Sequence, residues 1–489
     1  MFVPVPVRIR HGWLVAIAGV YLYLFPYFPR IQSANELPRV YLVKAIVEDH
    51  TFAIDHQVAV YGATSDLSRW QGHLYQNKAP GSSLLVVPVY ALVRAVGGSP
   101  SLAVSMWMCR VLAGILPALL FLWLMWRFLE RFTPEPEVRR LVLVAYGLGS
   151  MAMTYALLYY SHQLSAVCIG GAFILVVENR RPFVAGLLAG CAVLVDYQTA
   201  FAVLPLGIYV AVKQPRTIPW AIAGAIAPLA LLLYYHHACF GSITRTGYAT
   251  AIVYGQDHAH GLLGMTTPRV AAIWGTLFAK DNGLLVLSPW LLCAIPGGVA
   301  LWKRGERALV LVCCGAIAVF CYFVWSIVFW RGGWSVGPRY ITAMLPFTLP
   351  LVAVGLAELR RWPRVLELAC GAVASAVVIY VLAAATLPYW PDSLKNPLVD
   401  VTFRLLGDNA VSPSLGSACG IPGVAGIVPA LAAAFGITGY AIVRVCGWRS
   451  AAYAVVVAVV VLGLFWLAPH GGPEAERAYT HTLYPAVAS

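Results

Sequence analysis

Charge is scarce in this sequence: 33 Lys and Arg with 20 Asp and Glu make 11% of 489 residues, against 60% hydrophobic residues. That shortage excludes a chain that meets water over most of its surface, and implies one mostly dissolved in lipid. Metal-type cysteine spacing is missing too. None of the eleven cysteines forms a CxxC, and no His/Cys cluster has the spacing of a zinc site. Most cysteines, including Cys109, Cys168, Cys191, Cys313, Cys314, Cys321 and Cys370, lie inside apolar runs and read as small packing residues. Cys239 and Cys419 lie nearer one face, where a disulfide would need them close. No low-complexity linker and no internal repeat stands out, and ionisable residues within the apolar runs are few, Arg110 being the clearest. Both absences weigh against an ion-coupled secondary transporter. The first apolar run is not followed by a small-residue cleavage site, so it is expected to remain as an anchor.

What the sequence has is apolar runs long enough to cross a hydrocarbon core as helices, recurring from His11 to Pro469. The reading is an all-α polytopic transmembrane bundle of about thirteen spans. They fall near 11–29, 101–127, 141–158, 163–178, 182–196, 198–212, 218–236, 284–302, 308–328, 339–357, 365–387, 426–443 and 450–468. The excess of basic residues is scattered at span ends, including Arg8, Arg10, Arg127, Arg139, Arg180, Lys213, Lys303, Arg307, Arg360 and Arg444. That distribution sets nucleic acid aside as a partner and, by the positive-inside rule, puts the N-terminus in the cytoplasm. The long loops 30–100, 237–283, 329–338 and 388–425 and the short tail from His470 then lie outside. Counting 82–96 as a span would invert every later connector, so it is expected to be a re-entrant or interfacial helix. A wealth of Arg, Ala, Val and Gly fits a bacterial inner-membrane protein.

Polar chemistry concentrates between Arg30 and Pro80. Apolar Leu37, Val40, Tyr41, Val43 and Val47 fall along one helical stripe, predicting a short amphipathic helix on the membrane surface. Three constellations stand out. In Ser33-Ala34-Asn35-Glu36-Leu37-Pro38-Arg39, Glu36 is placed to act as a general base, Asn35 to orient it and Arg39 to hold a phosphate; the same residues would also cap a helix. In Tyr75-Gln76-Asn77-Lys78-Ala79-Pro80-Gly81-Ser82, Lys78 and free backbone donors suit an anion, or a turn into the bilayer. In Trp330-Arg331-Gly332-Gly333-Trp334-Ser335-Val336-Gly337-Pro338-Arg339-Tyr340, two arginines and two tryptophans suit a phosphate beside a sugar, or an aromatic belt. His162 and Asp196, at outer span ends, are lesser candidates. The loop 236–280 adds His236, Arg245, Tyr248, Tyr254, Asp257, His258, His260 and Lys280 as a possible substrate cover.

An acidic residue early in a long external loop, the Lys-Ala-Pro-Gly turn and the late Gly-Pro-Arg-Tyr before a Leu-Pro-containing span together resemble the polytopic GT-C glycosyltransferases. The likeness is nearest to the branch with protein O-mannosyltransferases and lipid A aminoarabinose transferases. It covers 1–350 as a catalytic transmembrane module, while 351–489 match only as further spans. The resemblance implies inverting transfer of a sugar from a polyprenyl-phosphate donor to a glycan, lipid or protein acceptor, outside the membrane. It implies Glu36 as base, with Asp66 or Asp49 as substitutes because the family's Asp-Glu pair is Asn35-Glu36 here. Arg39, Lys78, Arg331 and Arg339 would bind the donor phosphate, and Tyr75, His162, Asp196, Trp334 and Tyr340 would line the substrate pocket. No cofactor is demanded, and a divalent cation bridging phosphate to Asp or Glu is left open. A transporter or flippase of a lipid-linked saccharide is the alternative reading, since it would share the external arginines.

Overall fold

The computed structural model describes residues 11–25, 33–253, 255–258 and 264–488. Arg8, Arg10, Arg30, Tyr254 and His260 lie outside the described residues, as do the side chains of Asp257 and His258. The architecture is helical, and the only sheet among the described residues is one antiparallel hairpin, Leu67–Trp70 against His73–Gln76. A bilayer interior offers no partner for a free backbone N–H or C=O, so helices that bond internally are what such apolar runs can form.

Among the described residues six helices are long and apolar enough to cross a membrane: Leu102–Leu129, Pro215–Phe240, Arg307–Ser326, Arg339–Leu359, Pro363–Thr386 and Gly423–Leu467. The pair Pro136–Leu148 and Met151–Leu157, bent by 54°, makes a seventh if read as one span. Gly12–Leu24, Ser161–Val177 and Pro182–Val195 are apolar but shorter. The difference from thirteen lies in breaks and lengths. The stretch predicted at 284–302 is divided into Leu284–Leu287, a 3-10 turn Pro289–Cys293 and Ala294–Lys303, because Pro289 has no N–H to continue the helical ladder.

Two predicted spans are joined in Gly423–Leu467, where Gly447 alone leaves helical geometry at φ 80°, ψ 169°. Contacts run in opposite order along its two halves. On the first, Tyr23 bonds the carbonyl of Gly426 and Arg444 meets Glu137. On the second, Ser450 meets Glu367 and Asn396 bonds the carbonyl of Phe465. Glu137 and Glu367 begin helices on the side predicted to be cytoplasmic, so the chain turns back at Gly447 and crosses twice.

Helices approach closely where small residues meet, the arrangement that substitutes for hydrophobic driving force in lipid. Gly186 lies against the backbone of Ala221, and Gly224 against that of Phe183. The helix Leu37–Lys44 departs from expectation: all eight of its residues are buried, so it is not a surface helix. Leu37, Tyr41 and Leu42 pack with Tyr235 and Phe240, while Val40 and Val43 pack with Val86, Tyr90 and Cys109. The apolar stripe is real, but protein covers the opposite face as well. Gly81–Gly97 has the interfacial character instead, burying Ser83, Val86 and Tyr90 while exposing Leu85, Val89, Leu92 and Val96.

Candidate active site

Three cations are carried to one place by separate elements. Arg39 stands on the buried helix Leu37–Lys44, Lys78 in the turn after the hairpin, and Arg339 at the start of Arg339–Leu359. The turn is pinched between two backbones, and two glycines permit it. A Cβ on Gly81 would sit 2.6 Å from the Leu194 carbonyl oxygen, and one on Gly247 would sit 2.7 Å from the Asn77 Cα.

Arg39 is 2% exposed. Its guanidinium donates to the Asn35 carbonyl (3.2 Å), the Asn35 Oδ1 (3.3 Å), the Ser82 Oγ (3.3 Å) and the Ser161 Oγ (3.1 Å), all uncharged. Arg339, also buried, lies 5.3 Å from the ring centres of both Tyr160 and Tyr340, and its Nε has no hydrogen-bond partner among the described residues. Neither arginine has a carboxylate within ion-pair distance among the described residues. A buried guanidinium without a counter-ion is costly, and an anion in the adjoining space removes that cost. Lys78 differs: its Nζ lies 3.3 Å from Asp66 Oδ1 and 5.0 Å from the centre of the Tyr248 ring. Burial, reinforced by Arg339 and Arg39, lowers the Lys78 pKa below 10.5, although Asp66 opposes the shift.

These side chains line two adjoining cavities. The smaller recess, about 50 Å³, is lined by Arg39, Lys78, His162, Asp196, Tyr248 and Arg339 among others. The larger chamber, about 410 Å³, is lined by Asp66, Lys78, Trp334, Arg339, Tyr340 and Asp392 among others. Asn35, Lys78, Phe329, Arg339 and Tyr340 border both. The recess sets three cations against one carboxylate, Asp196; the chamber sets Lys78 and Arg339 against Asp66 and Asp392. At the recess wall, His162 Nδ1 and Asp196 Oδ2 lie 2.9 Å apart, and Gln198 donates to the same oxygen at 3.0 Å.

Four candidates stand apart. Glu36 borders neither cavity and is fully buried. Its Oε1 accepts from Arg110 Nε (2.8 Å) and the Tyr159 N–H (2.7 Å), and its Oε2 from Arg110 Nη2 (2.8 Å). Three of its acceptor sites are so engaged, and in this geometry the carboxylate faces Arg110 rather than either cavity. Arg331 pairs with Asp281 outside both cavities, and Tyr75 packs on Phe240, with ring centres 5.5 Å apart. Asp49 accepts from Gln57 and lies beside His56. The remaining candidates, Asn35, Asp66, Arg39, Lys78, Arg339, His162, Asp196, Trp334 and Tyr340, all line the cavities. Sequence reasoning missed Asp392, Tyr389 and Phe329, although each falls in or beside a loop predicted to be external.

Among the described residues no three His, Cys, Asp or Glu gather as a metal-ligand set, and Cys239 and Cys419 are both free. No protein-family model matches the chain, and no curated protein matches it. Several solved structures resemble it, and two of them are ArnT and EmbB. ArnT from Cupriavidus metallidurans, crystallised with undecaprenyl phosphate, aligns with 93% of this chain and 78% of its own at 14% identity and TM-score 0.49. Arabinosyltransferase EmbB from Mycobacterium smegmatis aligns with 98% of this chain and 44% of its own at 15% identity and TM-score 0.43.

Proposed function

We propose that the chain transfers a sugar from a polyprenyl-phosphate donor to an acceptor hydroxyl on the external side of a bacterial inner membrane, with inversion. The observation that carries this reading is the cationic recess, with two buried arginines that have no carboxylate within ion-pair distance among the described residues, adjoining a chamber lined by Asp66 and Asp392. The donor phosphate occupies the recess, where Arg39, Arg339 and Lys78 stabilise the charge that grows as it leaves. The sugar extends into the chamber, beside Trp334 and Tyr340, surfaces suited to a pyranose face. The acceptor oxygen then bonds to the anomeric carbon as the bond from that carbon to the phosphate oxygen breaks. The proton passes to Asp66, whose carboxylate is held by Lys78 and Asn77. Polyprenyl phosphate leaves as the anion.

The test uses protein in nanodiscs, offered a panel of polyprenyl-phosphate sugars and lipid or glycan acceptors, with products read by mass spectrometry. Release of polyprenyl phosphate with a glycosylated product, lost in Asp66→Asn, is the expected outcome. Wild-type turnover in Asp66→Asn sinks the role given to that carboxylate. Movement of donor across the bilayer without release of polyprenyl phosphate turns the reading to a transporter.

A further inference from the structure

A third cavity, of about 470 Å³, lies among Ala294–Lys303, Arg307–Ser326 and Arg339–Leu359. Its walls are Ile295, Val299, Trp302, Val310, Ile317 and Leu351. It shares no lining residue with the recess or the chamber. Its lining follows the helix from Ala294 to Lys303, ten residues, or about 15 Å at 1.5 Å per residue. That is close to half of a hydrocarbon core about 30 Å thick, the depth of one leaflet. Gly298 faces open space within the groove, since a Cβ placed there meets nothing within 4 Å.

The mouth is cationic. Lys303 lines it, and Arg307, which opens the next helix, lies 5.6 Å from the ring centre of Trp302. The neighbouring charges are already matched: Arg304 pairs with Glu358, Arg361 with Glu358, and Glu306 with Arg131. Lys303 and Arg307 have no carboxylate within ion-pair distance among the described residues. An apolar slot one leaflet deep beneath two unmatched cations has the form of a lipid site, with the tail buried and the phosphate at the basic rim.

We infer that this groove holds one acyl chain of an anionic glycerophospholipid, whose phosphate sits between Lys303 and Arg307. The test is native mass spectrometry of delipidated full-length protein titrated with phosphatidylglycerol or phosphatidylcholine of matched chains. Wild type is expected to retain phosphatidylglycerol about tenfold better, and the double variant Lys303→Gln, Arg307→Gln to lose that preference. Gly298→Leu fills the slot without touching the rim and is expected to release either lipid; thermal unfolding without lipid, unchanged from wild type, controls for folding. Equal retention of the two headgroups in wild type, or undiminished retention in Gly298→Leu, overturns the inference. So does displacement of phosphatidylglycerol from the site by a polyprenyl phosphate, which would make the groove a donor path, or by dimerisation, which would make it an interface between copies.

Discussion

Glu36 and Asp66 lie in the same polar loop, and their neighbours give them different work. Arg110, from a membrane helix, takes both oxygens of Glu36, whereas Asp66 faces the chamber beside Lys78. Glu36→Gln breaks the buried Arg110–Glu36 ion pair, a loss of about 3–5 kcal/mol, so the expected result is a large fall in melting temperature. Asp66→Asn is expected to unfold near the wild-type temperature while turnover disappears. Their reversal, with Glu36→Gln stable and inactive, would return the base to Glu36. Lys78 gives a pH signature. Burial lowers its pKa, so it loses its proton below 10.5, and donor affinity is expected to decline on the alkaline side earlier than an ordinary lysine allows. Lys78→Arg should flatten that limb, because a guanidinium stays charged. The stability sign is opposite: between the lowered value and 10.5 the unfolded chain holds the extra proton, so Lys78's contribution to stability rises with pH. A titration of donor binding by Lys78→Arg that matches wild type removes Lys78 as the cause.

At the scale of elements, the turn carrying Lys78 is placed by what its glycine touches. Gly81→Ala brings a methyl group against the Leu194 backbone, displacing the start of Gly81–Gly97 and the turn before it. Donor affinity is expected to fall by roughly tenfold, as misplaced charged hydrogen bonds cost about 1.5–3 kcal/mol. Gly97→Ala, where nothing lies within 4 Å, serves as the control on the same helix. Equal donor affinities in the two variants would show that the pinch does not position Lys78. The same scale explains what the sequence made legible. Arg39, Lys78 and Arg339 were conspicuous because charges in an oily chain need a reason, and all three reach the cavities. The surface helix was misjudged because an apolar stripe has the same period whether lipid or protein covers it, and Val86, Tyr235 and Phe240, which cover Leu37–Lys44, come from far along the chain. The ion pair of Glu36 was illegible for a related reason: its partner Arg110 is separated by 74 residues, and pairing at that distance leaves no local mark.

Across the whole molecule, the cavity walls come from both parts of the chain that the sequence divided near residue 350. Tyr389 and Asp392 border the chamber, and the segment after them is clamped by the tail. Arg404 donates to both oxygens of Glu476, at 2.6 and 3.0 Å, and Tyr479 donates to Asp408. The Arg404–Glu476 pair is largely exposed and contributes little, but Tyr479 and Leu483 of the tail are themselves buried, so the apolar contact holds the tail in place. The three cations, by contrast, meet their neighbours no later than residue 340: Asn35, Ser82 and Ser161 hold Arg39, Asp66 holds Lys78, and the rings of Tyr160 and Tyr340 lie beside Arg339. Deleting residues 473–488 is therefore expected to leave donor binding within about twofold of wild type while raising the acceptor KM several-fold, because the loosened wall is the one that carries Asp392. Kinetics with donor and acceptor varied separately, alongside calorimetric donor titration, read the two effects apart. A deletion that weakened donor and acceptor equally would mean that the tail supports the whole bundle. One that changed neither would mean that the wall at Tyr389 and Asp392 stands without it, and that the acceptor is held by residues of the first module alone.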